Sequence, residues 1–510
     1  MAAVSYPRRL ADLAAADPDR PAVTCGTDTV TRAQLEARAD RLARHLRRRG
    51  VTAGDMVTVA LPNSVEWVVA VVAAWKLGAI PQPVSPKLPP RELQAIIDLA
   101  QSKVVLGPDS GDLPGDGPDY GQGLGSGHGS GDHVGDRDSD HVGDGSRGGL
   151  DGGDIGDDEP LPDVVSPAWK APTSGGSTGR PKLIVAGEPA RIDTDEPPGL
   201  RLQPDGCLVM PGPLYHNGPI VWSLRALLWG AHVVVLPRFD AAETLRLIAA
   251  HRADSVYVVP TMMKRISRLP DDERLGPDLS SLRTVWHLAE PCPPWLKQEW
   301  IDWLGADTIM ELYAGTEAQV ATVISGREWL EHRGSVGRPL GGEITVLDAD
   351  GEPVPPGTVG EVWLRSGRSE PTYRYVGTEA RTREGGWESL GDLGWVDGDG
   401  YLYLADRMQD MILSGGANIY PAEVEAVINE HPAVRSCAVI GLPDDDLGSR
   451  AHAIVEADEG TVDPEDLRAF VRERLVAYKV PRTWELVRES LRDDAGKVRR
   501  VALRADRLPT

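Results

Sequence analysis

The stretch Thr173-Ser174-Gly175-Gly176-Ser177-Thr178-Gly179-Arg180-Pro181-Lys182 sets three glycines among hydroxyl residues and ends on a lysine. Glycine lets a backbone turn tightly and approach a ligand, and successive amides and hydroxyls can donate to phosphate oxygens, with Lys182 adding a positive charge. By composition the string is a phosphate cradle. It lacks the GxxxxGK[ST] spacing that places a lysine at the head of a helix, which disfavours a P-loop NTPase. Further polar clusters follow strand-like runs at Tyr215-His216-Asn217, Ala289-Glu290-Pro291 and Tyr313-Ala314-Gly315-Thr316-Glu317. Such clusters suit a sheet whose ligands gather at the carboxyl ends of its strands.

The intervening sequence supplies that scaffold. Apolar spacing near 3.6 predicts a helix over 31–49 with Thr31 as its cap, and Val57 to Ala60 reads as a strand. A mostly apolar helix over 65–77, a strand from Gly78, a helix over 91–100 and a strand at Lys103 to Leu106 continue the alternation. After the cradle, strands are expected at 201–210, 231–236, 255–260, 284–288 and 307–312, with helices at 221–228 and 241–251. Strands alternating with helices define α/β architecture, here doubly wound sheets. From Gly334 short strands and turns predict a small β subdomain, and beyond Asp406 two amphipathic helices, 421–429 and 464–475, predict a small α+β domain. The reading gives an N-terminal domain over 1–407 and a C-terminal domain over 408–510.

Composition narrows the function classes. Between Asp109 and Asp163 fifteen acidic residues face only Arg137 and Arg147, more than half of the chain's net charge of −23. This segment, about 107–162, is Gly, Asp, Ser and Pro with few large apolar residues, so it cannot offset its ordering entropy and is expected to be a disordered acidic loop. An acidic chain repels nucleic-acid phosphates and anionic membrane surfaces, so neither is an expected partner. The apolar run Trp67 to Ala74 is too short to span a bilayer, and the N-terminus has no apolar core before a cleavage site, which points to the cytoplasm. Cys25, Cys207, Cys292 and Cys437 are far apart and lack CxxC pairing, as expected for buried thiols rather than a zinc site or a disulfide framework.

The cradle resembles the phosphate loop of the adenylate-forming superfamily of acyl-CoA synthetases, adenylation domains and luciferases. Tyr313-Ala314-Gly315-Thr316-Glu317 is similar to its YGxTE motif, which implies contact with the α-phosphate from Thr316 and retention of Mg²⁺ by Glu317, an oxygen donor suited to that ion. Leu390-Gly391-Asp392-Leu393-Gly394 and Asp406-Arg407 match its GDxG and xDR elements, implying ribose contacts from Asp392 and nucleotide contacts from Arg407. Asp397 to Gly400 is read as a hairpin turn. Asp410 to Pro421 resembles the start of the family's mobile C-terminal domain, with Gly415 and Gly416 lining a pantetheine tunnel; the hinge position, commonly Asp or Lys, is Gln409 here. Asp494-Ala495-Gly496-Lys497 resembles the loop bearing the catalytic lysine, where Lys497 would bridge the substrate carboxylate and the α-phosphate.

The resemblance implies that a carboxylate and MgATP give an acyl adenylate and pyrophosphate, after which a nucleophile, usually the thiol of coenzyme A, displaces AMP. No carrier domain is expected after Lys497, which favours a free-standing ligase, monomeric or homodimeric. ATP contacts fall on 173–179, Lys182, 289–291, Tyr313, Asp392 and Arg407. The acid pocket is expected between Tyr215, His216 and Asn217, the run from Val285 to Pro291, and Tyr313 to Gly315, with His216 either gating the pocket or purely structural. The resemblance also implies that members activating α-amino acids place an aspartate near this turn to meet the α-ammonium; none stands here, which disfavours α-amino acids. Glu290 would meet a substrate amine or hydroxyl, or simply form an ion pair. Other acceptors remain open: a carrier protein, an amine or an inorganic nucleophile such as nitrite. So does a non-catalytic nucleotide-binding module, against which Glu317 and Lys497 argue; nothing in the sequence speaks for luciferase-like oxidation.

Overall fold

A computed structural model describes residues 3–108, 161–175, 181–493 and 496–508; the expected acidic loop lies almost wholly outside them. The largest element is a nine-stranded sheet. In its centre Pro21–Cys25, His232–Val235, Cys207–Met210, Ser255–Val258, Thr284–Leu288 and Ile309–Ala314 lie parallel in that order. Antiparallel strands close both edges, Asp28–Thr31 at one and Ala321–Ser325 followed by Arg338–Leu340 at the other. The early alternation does not join this sheet. Ile80–Pro83, Met56–Val59 and Val104–Leu106 form a separate parallel sheet.

The helix Val65–Lys76 lies between the two sheets and is buried on every face, as its all-round apolar sequence requires. Ser64 caps it by accepting from the Trp67 amide at 3.1 Å. Just before it, Asn63 donates to the carbonyls of Gly212 and Leu236 and accepts from the Leu214 amide, at 2.9, 2.8 and 2.8 Å. One satisfied side chain thereby fixes the turn that presents Tyr215 and His216. The helix Arg32–Arg48 carries a capping box between Thr31 and Gln34 and buries Leu35, Ala39, Leu42, Ala43 and Leu46 along one face.

Several expected boundaries moved, two of them for reasons visible in the backbone. The strand foreseen over 201–210 is confined to Cys207–Met210. Pro204 has no amide to give a ladder, and Leu200, Arg201 and Asp205 are left-handed (φ 49°, 51° and 54°), so a turn precedes the strand. The helix foreseen from Val221 begins at Asn217, because Pro219 falls within the first turn, where amides have no helical partner to lose.

The β subdomain is a six-stranded sheet built on Gly360–Ser366, Asp392–Val396 and Leu402–Arg407. Asp397 accepts from the amides of Asp399 and Tyr401 at 3.0 and 2.9 Å, the hairpin turn expected of it. Beyond Gln409 a three-stranded sheet, Val434–Asp444, Gly448–Ala457 and Thr483–Val487, packs with the helices Pro421–Ile428 and Pro464–Arg472 around a core of its own. A short helix, Arg500–Ala505, follows. No helix among the described residues is long and apolar enough to cross a membrane.

A buried ion pair sits under the large sheet. Lys297 donates to Glu311 at 2.6 Å, with neutral His287 beside them, its pKa held well below the usual value by burial and by Lys297. Lys297→Met strands Glu311 without its cation, and a loss of about 3–5 kcal/mol is expected in urea unfolding. An unchanged midpoint would mean that the pair contributes nothing.

Candidate active site

The cradle is a hairpin. Thr173–Gly175 pairs antiparallel with Pro181–Ala186, which in turn pairs with Tyr373–Val376. Gly176, Ser177, Thr178 and Gly179 lie outside the described residues. Gln82 donates to the Thr173 hydroxyl at 2.8 Å, tying the hairpin to the smaller parallel sheet. Lys182 reaches Tyr375 Oη at 2.9 Å and Glu317 Oε1 at 3.4 Å, and the Tyr375 hydroxyl donates to the same carboxylate oxygen at 2.5 Å. Burial and Glu317 together raise the Tyr375 pKa, which keeps the phenol a donor. Glu317 is thus buried, oriented through Oε1, and presented at the end of the strand Ile309–Ala314 beside Thr316. A carboxylate and a hydroxyl are the hard oxygen donors that Mg²⁺ takes, so the residues present fit that ion.

A short distance along the cleft the Tyr313 hydroxyl donates to Asp392 Oδ2 at 2.6 Å, while Arg407 Nε lies 3.2 Å from Oδ1. Asp392 is therefore held rigidly between an aromatic ring and a guanidinium. Gln409 occupies the turn after Arg407, closed by the Asp410 and Met411 amides on the Arg407 carbonyl at 3.0 and 3.1 Å. Arg500 anchors the far side of that turn, pairing with Asp410 at 3.4 Å and with both oxygens of Glu425 at 2.7 Å.

One cavity of about 2720 Å³ gathers these groups. Thr173, Lys182, Tyr215, His216, Asn217, Ala289 to Pro291, Tyr313 to Glu317, Asp392, Arg407, Gln409 and Lys497 all line it. Pockets for a single drug-sized ligand run to about 300–1,000 Å³, so the cleft exceeds the space that one such ligand needs. Lys497 arrives from the C-terminal part of the chain. Lys497 remains exposed in the open cleft; crowding of its ammonium there and the Arg407 guanidinium lower its pKa, while Asp493, Glu317 and Glu290 oppose that shift.

Two expectations part from the geometry. Val285 is buried within its strand and does not line the cavity; Trp286 and Leu288 alternate to the other face, and Leu288 lines it instead. Gly415 and Gly416, both at positive φ (57° and 82°), form the two-residue turn of the hairpin Ile412–Ser414/Ala417–Ile419, also away from the cavity lining.

Glu290 faces the lysine loop. Its Oε2 accepts from the amide and hydroxyl of Thr261 at 3.3 and 2.7 Å and lies 3.7 Å from Arg492, which also donates to the Gly496 carbonyl at 2.7 Å. Burial raises its pKa against the pull of Arg492. Because Oε2 is committed to these groups and Oε1, which has no hydrogen-bond partner, is packed against Gly496, Glu290→Ala is expected to weaken adenylation of amino-substituted and unsubstituted aryl acids alike. Selective loss of the amino acid series would return Glu290 to substrate recognition. Ala289 before it is left-handed (φ 75°), a strained position for a residue with a Cβ. Tyr375, Thr261 and Arg492 had no signal in the sequence, since each acts through a partner far away in the chain.

The nucleotide-sized cleft between a parallel α/β body and a smaller C-terminal part defines an adenylate-forming ligase fold. A family model for AMP-binding enzymes matches residues 10–373, and one for the AMP-binding enzyme C-terminal domain matches 423–497. The chain belongs to the AMP-binding enzyme family. It is 31% identical to a feruloyl-CoA synthase from Amycolatopsis, over 97% of this chain and 96% of the relative. It is 30% identical to a 2-succinylbenzoate–CoA ligase from Bacillus licheniformis, over 98% and 99%. Among solved structures it is similar to an amide bond synthetase from Marinactinospora thermotolerans, with TM-score 0.74, 28% identity and 99% of both chains covered.

Proposed function

We propose that this enzyme activates a carboxylic acid with MgATP and passes the acyl group to the thiol of coenzyme A. The observation that carries the reading is the meeting of Lys497 with Glu317, Arg407 and Asp392 in one cavity that also reaches His216 and Asn217. In the first step a carboxylate oxygen attacks the α-phosphorus, the bond to the β-phosphate bridging oxygen breaks, and pyrophosphate departs. Lys497 places positive charge between the two reacting anions, and Thr316 donates toward the α-phosphate. Lys182, the Tyr375 phenol and Glu317 hold one another so that the cradle and the carboxylate keep their spacing. Asp392, braced by Tyr313 and Arg407, is the acceptor for the ribose hydroxyls. Bound at Glu317, Mg²⁺ would offset phosphate charge. In the second step the thiol sulfur attacks the acyl carbonyl, its proton is lost, and AMP leaves with the former anhydride oxygen.

Pyrophosphate exchange across fatty, aryl and steroid acids tests the first step without assuming an acceptor. Exchange with at least one class is expected, and product analysis with coenzyme A, amines and nitrite then separates the acceptors. The likeness to an amide bond synthetase makes the amine arm the informative control. Exchange with none of the acids would overturn the ligase reading.

A further inference from the structure

Lys170 lies on the segment entering the cradle and lines the cavity, yet it belongs to none of the nucleotide contacts. Only 5% of the residue is exposed. Its ammonium donates to Asn217 Oδ1 and stands 4.6 Å from the Trp169 ring centroid, both uncharged partners. Among the described residues no carboxylate pairs with it. Asn217 is the first residue of the twelve-residue helix Asn217–Leu228, whose unpaired amides carry partial positive charge. The backbone fixes the lysine firmly: the Ala186 amide donates to its carbonyl at 3.0 Å, and the Ala171 amide to the Pro81 carbonyl at 3.0 Å.

A lysine sealed from water without a counter-ion costs free energy that an anionic ligand would offset. Burial lowers its pKa to about 7, with the charge of Glu317, which makes no ion pair with it, opposing this. In the proposed reaction the reacting carboxylate is assigned to Lys497 and Thr316, which leaves Lys170, in the same cavity lining, for a second anionic group of the substrate. Tyr6, Ile192, Leu200, Trp222 and Leu228 line the same cavity, giving apolar wall for a hydrocarbon or aryl body.

We infer that Lys170, with Asn217 at its helix N-terminus, is a specificity-determining residue that receives a second carboxylate on the substrate acid, so that the preferred substrates are dicarboxylic acids with an apolar body. This rests on the ligase reading above. Binding of the second carboxylate gives the buried ammonium its missing partner, and the neutral Asn217 amide completes its hydrogen bonding.

Isophthalate, terephthalate and 4-carboxyphenylacetate, each beside its monomethyl ester, test this in pyrophosphate exchange with the full chain. For at least one pair the diacid is expected to exceed its ester by about tenfold or more in kcat/KM, the worth of a charged hydrogen bond. Lys170→Met should erase that preference while the ester's kcat/KM and the KM for ATP stay within about threefold, and Lys170→Arg should keep the diacid ahead. No diacid preference in the wild type, or equal loss of diacid and ester in Lys170→Met, overturns the inference. Should no acid support exchange, the ligase reading fails by itself. Calorimetric binding of diacid and ester to wild type and Lys170→Met then decides the lysine's role: a wild-type preference lost in the variant supports it, and any other pattern overturns it. Thermal melting of Lys170→Met is expected to match the wild type, because a buried cation is removed rather than orphaned.

Discussion

Replacing Lys497 by alanine is expected to reduce pyrophosphate exchange by about three orders of magnitude while ATP still binds. The C-terminal loop brings the ammonium to the cavity within electrostatic reach of Glu317 and Arg407, and the proposed first step brings two anions to it. Cradle, Asp392 and Arg407 remain in the variant, so nucleotide affinity measured by calorimetry should change little. Exchange at the wild-type rate would remove Lys497 from the first step. Failure to bind ATP would instead make it a ground-state anchor.

The second large effect concerns its neighbour. Gly496 has φ +79°, and a Cβ built on it would sit 1.5 Å from Glu290 Oε1. Gly496→Ala must therefore push the lysine loop away from the cavity wall, and displacement by about an ångström of a reacting group costs about a hundredfold in rate. Adenylation is expected to fall by at least that factor, with the melting temperature little changed. The double variant Gly496→Ala/Glu290→Gly removes the clashing carboxylate and should recover at least about tenfold over Gly496→Ala, leaving the strain of a left-handed alanine and the loss expected for removing Glu290. A Gly496→Ala enzyme of full activity would show that the contact does not set the position of Lys497.

Strands and helices were legible where an element carries an apolar period, as in Arg32–Arg48, or an apolar run of helix or strand length, as in Val65–Lys76 and Thr284–Leu288. The partition of those strands between two parallel sheets was not, since pairing depends on contacts such as those of Asn63 with Gly212 and Leu236. The same distinction divides the site. Thr173, Glu317, Asp392, Arg407 and Lys497 stand out through local motifs and meet in one cavity. Tyr375 acquires its meaning only from antiparallel pairing with Pro181–Ala186, which brings its ring to Lys182. Lys170 likewise becomes distinctive only when the helix beginning at Asn217 seals it from water. Val285 was counted into the pocket by position in the run, while strand alternation turns its side chain the other way.

The part of the chain beyond Gln409 owns its apolar core, and the ties that fasten it to the larger body are polar. Lys264 donates to the Asn429 carbonyl at 3.1 Å, Arg268 to that of Val434 at 2.9 Å, and Arg492 and Arg499 face Glu290 and Glu92 at 3.7 Å each. Water can replace these ties, and among the described residues no apolar core cluster bridges the two parts. We propose that the unit swings Lys497 out of the cavity and brings another face over the adenylate by exchanging these polar ties for water, each piece keeping its own core.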